Sequence, residues 1–566
     1  MISIRQDHRP PGQKVMNRNI LVVSMVLASC TPTWLRADSP TFSGGVATIV
    51  YEKCAICHRP DSSGPFSLIS YNDVFRRSAT IKAVLEDKYM PPWKPIDHGL
   101  AFANNRSLTA MEEQTIKQWI DAGCPEGDSG KTPAPPKFPD GWSLGKPDMV
   151  VQMNGEFDVP ADGPDIYRSF VFPLDLSDDK WVKAVELRPQ AKSAVHHAIF
   201  YLDTNRAARK MDGADGKVGI SGMGFLGSFG EQASKNESRQ SVLAGVGTLL
   251  KRLRGGRQAD ADNAYSVNQQ FNRGLGGYVP GTTPNFLPGD LAMALPKSSD
   301  IVMQTHFHPS GKPEKEKAEL ALYFADQPPS RPIVPIMVPP MFGFGSKLKV
   351  PAGEKHYRLF DSFTLPVDTQ AIGVSGHAHY ICREMKLTAK LPNGKSIVLL
   401  HIDDWDLDWQ DRYMFKQPVD LPAGTVLTSQ LIYDNSSDNP ENPFDPPQEI
   451  RWGRGSNDEM GSVTLMAVAT TQQDNARLQE SLRQYFVESL VNRSSTDLIE
   501  MLMQLDNNRD GKLQPSEAPP RLDKRLFGFL DSNKDGALAA EELMPLMKLR
   551  DRFQVQGRNR LAPSQR

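Results

Sequence analysis

The sequence predicts a multidomain chain: a small α-helical domain, a long antiparallel β-sandwich core, and an α-helical pair toward the C-terminal end. Three observations predict it. At 566 residues the chain exceeds what a single hydrophobic core organises. Its middle alternates apolar and polar residues between clusters of Gly, Pro and Asn/Asp, in a chain with 45 prolines and 43 glycines, the pattern of antiparallel strands. Both ends show helical spacing instead, through Val46, Ile49 and Val50 near the front and Leu498, Met501, Leu502 and Leu505 near the back.

Residues 1–37 read as an export signal. The apolar run from Ile20 to Ala28 follows Lys14 and Arg18 and is too short to span a bilayer. Translation from Met16 would give the same signal. Two ends to it stay open: cleavage after Leu35-Arg36-Ala37, or lipidation of Cys30 in Leu27-Ala28-Ser29-Cys30, which resembles a lipoprotein box. Either places the protein outside the cytoplasm, in a periplasm or cell envelope, and membrane contact is expected only through that lipid anchor. Five cysteines leave little for disulfides, so apolar cores must hold the domains. The formal net charge is -2, and the basic cluster Lys251, Arg252, Arg254 and Arg257 lies among glycines without interleaved aromatics. That reads as a solvated loop and excludes nucleic acid as a partner.

Residues 38–130 form the first domain. Cys54-Ala55-Ile56-Cys57-His58 spaces two thiols for thioether bonds to haem vinyl groups and delivers His58 to the iron, which predicts covalent haem c. A redox or zinc Cys-x-x-Cys is the competing reading, and the chain has no second Cys pair to complete a zinc site. The second axial ligand is assigned to Met90 in Tyr89-Met90-Pro91-Pro92-Trp93, where the prolines hold an extended loop. Its competitor Met111 sits in a helix opened by the capping box Thr109-x-x-Glu112, with Ile116, Trp119 and Ile120 as its apolar face. The segment resembles class I cytochrome c domains, which implies one-electron transfer. Residues 131–147 follow as a Pro-rich linker.

The middle of the chain concentrates imidazole. Six of eleven histidines fall in three pairs: His196-His197, His306 with His308, and His377 with His379. In Ile301 to His308 one face carries Ile301, Met303, Thr305 and Phe307 and the other carries Val302, Gln304, His306 and His308, so one buried face and one imidazole face are expected. Adjacent His196 and His197 can share a metal only across a bulge or strand end. One histidine alone would read as structural, whereas three pairs read as metal ligands. A thioether in the set, from Met460 in Asn457-Asp458-Glu459-Met460-Gly461, favours copper over zinc or iron. His401 reads as part of a packed aromatic loop.

These residues resemble the copper type II, ascorbate-dependent monooxygenases, the family of peptidylglycine α-hydroxylating monooxygenase and dopamine β-monooxygenase. The resemblance spans about Asp148 to Ala469, with motifs in the family's order. It implies two tandem jelly-roll domains, 148–330 and 331–475, with one copper in each. His196, His197 and His306 would bind the first; His377, His379 and Met460 would bind the second and carry the catalysis. It further implies that the methionine-ligated copper binds O2 while the all-histidine copper relays an electron, hydroxylating a C–H bond. Ser375 and Thr464 stand where the peptide-hydroxylating branch has arginine and tyrosine, which argues against glycine-extended peptides. His308 is an extra histidine beyond the ligand set.

Residues 476–550 carry two twelve-residue loops and 551–566 form a tail. Asp506, Asn508, Asp510, Lys512 and Glu517 occupy the ligand positions of an EF-hand, with Gly511 at its turn. Asp531, Asn533, Asp535, Ala537 and Glu542 repeat them, so calcium is expected, in a structural role. Pro519-Pro520 and Pro545 shorten or kink both exiting helices.

The function expected is an exported copper monooxygenase acting on a small organic or peptide-like substrate with O2. Its electrons come from its own haem domain, from a donor protein or from ascorbate. The alternative is a non-catalytic haem and copper electron-transfer or copper-binding protein on the same scaffold. A zinc hydrolase lacks a general base near the histidines.

Overall fold

Alternation of buried and exposed side chains sets the strands, and the strands dominate. In the computed structural model the described residues are 39–221, 274–491 and parts of 499–544, leaving aside a few single positions. The structure is 33% strand and 19% helix. This corrects the predicted fold class: few helices are present among the described residues, and the chain is not an assembly of jelly-rolls flanked by a helical cytochrome domain and a helical EF-hand pair. The physical reason at the front end is the proline-rich stretch after the short helices Tyr71–Arg76 and Ser78–Glu86. Unable to continue a helix, it runs extended against the β structure: Ile96 N–H donates to His401 O at 2.8 Å, Ala103 N–H to Met414 O at 2.8 Å, and Lys416 N–H to Ala101 O at 2.8 Å. At the back end the two loops meet as a two-stranded ladder, Lys512–Leu513 against Leu538–Ala539. Asn508, the predicted signal, Cys30 and the basic cluster lie outside the described residues.

Among the described residues between those ends lie four larger antiparallel sheets in two pairs. In the first pair, Met149–Gln152, Glu319–Phe324, Lys180–Arg188 and Met293–Leu295 form one sheet in that order. Ile220–Ser221, Ile166–Phe172, Asp300–Phe307, Val195–Asp203 and Gly274–Tyr278 form the other. Phe170, Phe172, Phe200, Ile301, Met303 and Phe307 from one sheet meet Val182, Leu187, Leu320 and Leu322 from the other in one core. The second pair stacks Ile333–Val338, Gly461–Ala469, Thr369–Ala378 and Arg412–Leu421 on Tyr357–Thr364, Val426–Tyr433, Cys382–Lys390 and Ser396–Ile402. Its core is capped by Leu478 and Leu482 of the helix Gln472–Val491. Burying each such Leu stabilises by roughly 1.5–3 kcal/mol.

The strand Asp300–Phe307 departs from expectation, because all eight of its residues are buried. Its apolar face enters the core as predicted, but Val302 on the imidazole face is also covered, by Val171, Ala208 and Ile220. His306 is therefore a buried histidine at 1% exposure rather than one on an open face.

At the front end, Thr109 caps the helix Ala110–Asp121 with the reciprocal Thr109–Glu112 box. Ile116 and Trp119 join Phe42, Val46 and Val50 in a separate small core. Met111 is 77% exposed, which removes it as a competitor for a buried axial position.

Candidate metal centre

Two histidine clusters lie near each other, one on each sheet pair, close enough for His377 to act electrostatically on His197. The first forms where Val195–Asp203 pairs with Asp300–Phe307. The register shifts between Val195 and His197, so Val195 lies opposite Phe307 and His197 opposite His306. That bulge gives two adjacent histidines a common direction. One ligand nitrogen from each of His196, His197 and His306 falls within 4.8 Å of the others.

The protonation chemistry of this cluster suits a metal. His306 Nε2 lies 2.7 Å from Asp165 Oδ2, and its ring stacks on Tyr167 at 4.3 Å between centroids. His306 Nδ1 and His197 Nδ1 are buried without a hydrogen-bond partner among the described residues, an arrangement that costs free energy unless something binds there. Burial holds the His197 imidazole well below its ordinary pKa, with the neighbouring His306, His196 and His377 adding to the effect. His196 Nδ1 is 3.1 Å from Asp408 Oδ1, off the line of a hydrogen bond. Burial depresses His196, but the Asp408 carboxylate outweighs it and raises the pKa. Burial likewise pushes Asp165 up, and its contacts to His306 and His308 outweigh that, leaving it below the usual carboxylate value. His308 meets the same carboxylate, Nδ1 to Oδ1 at 2.8 Å, and is 68% exposed, so it supports Asp165 from outside.

The second cluster sits at the end of Thr369–Ala378. His377 lies opposite Ser462 and Ala378 opposite Gly461, so Met460 directly precedes the residue paired beside the two imidazoles. His377 Nδ1 bonds Gln410 Oε1 at 2.7 Å, which leaves its Nε2 for a ligand, and His379 Nδ1 bonds Asp458 O at 3.0 Å, with Gly455 as a second backbone partner of that ring. Burial lowers His377 to about 3 and His379 to about 4. Glu459, fully buried, accepts from Met460 N at 2.8 Å and Ile381 N at 3.1 Å as well as from His379 N. It therefore clamps the histidine turn to the methionine segment. Tyr433 Oη donates to Met460 O at 3.1 Å from the other side.

Several of these residues gave no signal in the sequence. Asp165, Tyr167 and Gln410 have neighbours of ordinary composition, and only the tertiary fold brings them to the clusters. Asp408 had one: the spaced acids of Asp403-Asp404-Trp405-Asp406-Leu407-Asp408, read as packing. The loop is packed, through Trp405 and Trp409, yet it also reaches His196. His401 instead bonds His98 Nε2 through Nδ1 at 2.8 Å and Glu384 through Nε2 at 3.1 Å. Arg412 lies opposite Ser375, two residues from His377, and so shares its face of the sheet. Its acidic neighbour Asp411 is taken by Arg106 at 3.0 Å.

Cys54, Cys57 and His58 lie in the turn after the helix Ala47–Lys53. His58 Nδ1 is 3.2 Å from Phe66 O, which leaves Nε2 for an axial role. Burial raises the Cys54 thiol to about 12. A Cβ on Gly281 would come within 2.5 Å of Cys57 Sγ, so this turn packs on the first sheet pair. Met90 is half-buried, its amide donating to Val84 O at 3.1 Å, and its neighbour Tyr89 makes an edge contact with Trp409 at 6.2 Å. In the C-terminal loops, Gly511 N donates to Asp506 Oδ2 at 2.8 Å and Gly536 N to Asp531 Oδ2 at 3.0 Å. Glu542 accepts from Ser532 N and Ala539 N, and Gln514 N donates to Glu517. Asp510 and Lys512 are described too; the Lys512 ammonium pairs with Asp535 of the other loop at 2.6 Å. Asn533 and Ala537 complete the second loop.

No family model matches the chain, and no curated protein matches it. Among solved structures, the major capsid protein P2 of bacteriophage PM2 aligns with 57% of this chain and 97% of its own, at 8% identity and a TM-score of 0.20. A structure of PNGF-II aligns with 56% of this chain and 60% of its own, at 10% identity and a TM-score of 0.19. Similarity that slight carries no argument about this protein.

Proposed function

We propose that the protein is a copper-dependent monooxygenase that hydroxylates a C–H bond with O2. The observation that supports this most is the pair of clusters, one holding orphaned imidazole nitrogens and the other placing two buried histidines beside Met460. Nitrogen donors alone fit several metals; a thioether in the second set selects copper, whose reduced form takes soft ligands. Bound there, copper would supply one-electron steps and activation of O2.

The chain's own groups then have distinct tasks. His196, His197 and His306 hold one ion, with Asp165 fixing the tautomer of His306. His377, His379 and Met460 hold the other, with Glu459 fixing the backbone that carries His379 and Met460. Arg412, on the His377 face, favours a substrate with an anionic group. Cys54, Cys57, His58 and Met90 would hold haem c, which would supply electrons, alongside ascorbate or a donor protein. The Asp506 and Asp531 loops take calcium; Asp506 Oδ1, buried and without a partner, fits a cation there.

The test is O2 uptake by the copper-loaded, haem-attached chain with ascorbate as reductant, in wild type and Met460→Ala. The oxygenase reading expects uptake that Met460→Ala abolishes while the unfolding temperature stays within a few degrees. Full copper loading with no uptake contradicts it and leaves the non-catalytic electron carrier.

A further inference from the structure

The loop 404–411 touches both clusters at once. Asp408 Oδ1 stands 3.1 Å from His196 Nδ1, on the first sheet pair. Two residues later, Gln410 Oε1 stands 2.7 Å from His377 Nδ1, on the second. Between them the Trp409 ring lies 6.4 Å from the His196 ring and 6.2 Å from Tyr89. The loop is held internally: Gln410 Nε2 donates to Leu407 O at 3.0 Å, which orients the amide so that its oxygen faces His377, and Asp408 N donates to Asp406 Oδ1 at 2.9 Å. Its outer side is pinned to the front end of the chain. Lys94 pairs with Asp404 at 3.0 Å and Asp406 at 3.5 Å, and the buried Arg106 donates to Asp411 at 3.0 Å and Pro92 O at 3.3 Å.

We propose that this loop is a shared positioning element that couples metal loading at the two clusters. It rests on the two-site metal reading above but not on the oxygenase chemistry. A metal on the first cluster orients His196, and with it Asp408. Ordering Asp408 orders Gln410 two residues on, and Gln410 is what turns His377 Nε2 toward the second site. The second ion then binds a site whose ordering cost has already been met, which is positive coupling. The coupling is reciprocal and of the usual size, about 5–150-fold in affinity. A second tie between the halves, the Tyr167–Tyr380 hydrogen bond, runs beside the loop and is the competing route.

The experiment is anaerobic Cu(I) titration of the haem-attached full chain against a competing chelator, read as affinity at the His377 cluster. His306→Ala removes the first site. The proposal expects second-site affinity to fall at least about 5-fold in His306→Ala. In Gln410→Ala, and separately in the isosteric Asp408→Asn, adding His306→Ala then has no further effect, a double-mutant cycle that closes on the loop. Tyr380→Phe leaves the coupling in place. Equal second-site affinity with and without the first site overturns the proposal, as does a cycle that closes on Tyr380 and not on Gln410 or Asp408. Failure to bind a metal at either cluster contradicts the two-site reading itself, and metal at both without coupling contradicts only this inference.

Discussion

The two histidine clusters differ in what stands behind the imidazoles. The first is backed by carboxylates, Asp165 on His306 and Asp408 beside His196. The second is backed by neutral oxygens, Gln410 Oε1 on His377 and the Asp458 carbonyl on His379. A carboxylate behind an imidazole strengthens it as a donor and stabilises a more highly charged ion, whereas an amide or carbonyl orients the ring without adding charge. With a thioether beside it, the second cluster is the softer site. Two sites built from the same side chain are thus tuned apart by their second contacts.

The comparison breaks first at the ligands. His306→Ala should empty the first cluster, removing one metal equivalent and leaving the second site filled, as measured by metal content per protein. Asp165→Asn sharpens it: losing the carboxylate behind His306 should weaken metal binding at the first cluster by about 10–100-fold and leave the His377 cluster within a factor of a few, read by chelator competition. Gly461→Ala tests the second cluster from the inside. Its Cβ would lie 2.0 Å from Tyr433 Oη and 2.8 Å from Leu431, so the Tyr433–Met460 contact must break. Overpacking here should cost about 1–3 kcal/mol of stability and displace Met460, lowering second-site affinity more than first-site affinity.

The smallest effect concerns the frame of the first sheet pair. Burial raises Glu316 to about 7 although Ala191 N donates to it at 2.8 Å. A carboxyl raised in the folded state contributes stability that is full below its ordinary value near 4.5 and is lost as the pH rises through about 7. Thermal unfolding of the wild type should therefore weaken across that window, and Glu316→Gln should flatten the dependence.

The grouping of His196, His197 and His306 was legible in the sequence, and so was the need for a bulge at His196-His197, because spacing and strand period are local. The helix cap at Thr109 was legible for the same reason. The fold class was not. Helical spacing at the two ends suggested independent helical domains, while the prolines after Met90 turn the front end into extended chain bonded to the strand ends at His401 and Met414. Asp165 was invisible because it reaches His306 across 141 residues. The half-buried reading of Asp300–Phe307 failed because period two reports which residues alternate, not whether another segment covers the second face.

The most direct test is the copper, iron, zinc and calcium content of haem-attached protein, in wild type and His377→Ala. The account predicts about two coppers per haem iron in the wild type, falling toward one in the variant with the first cluster still loaded. Zinc in place of copper, or a single copper indifferent to His377, would contradict it.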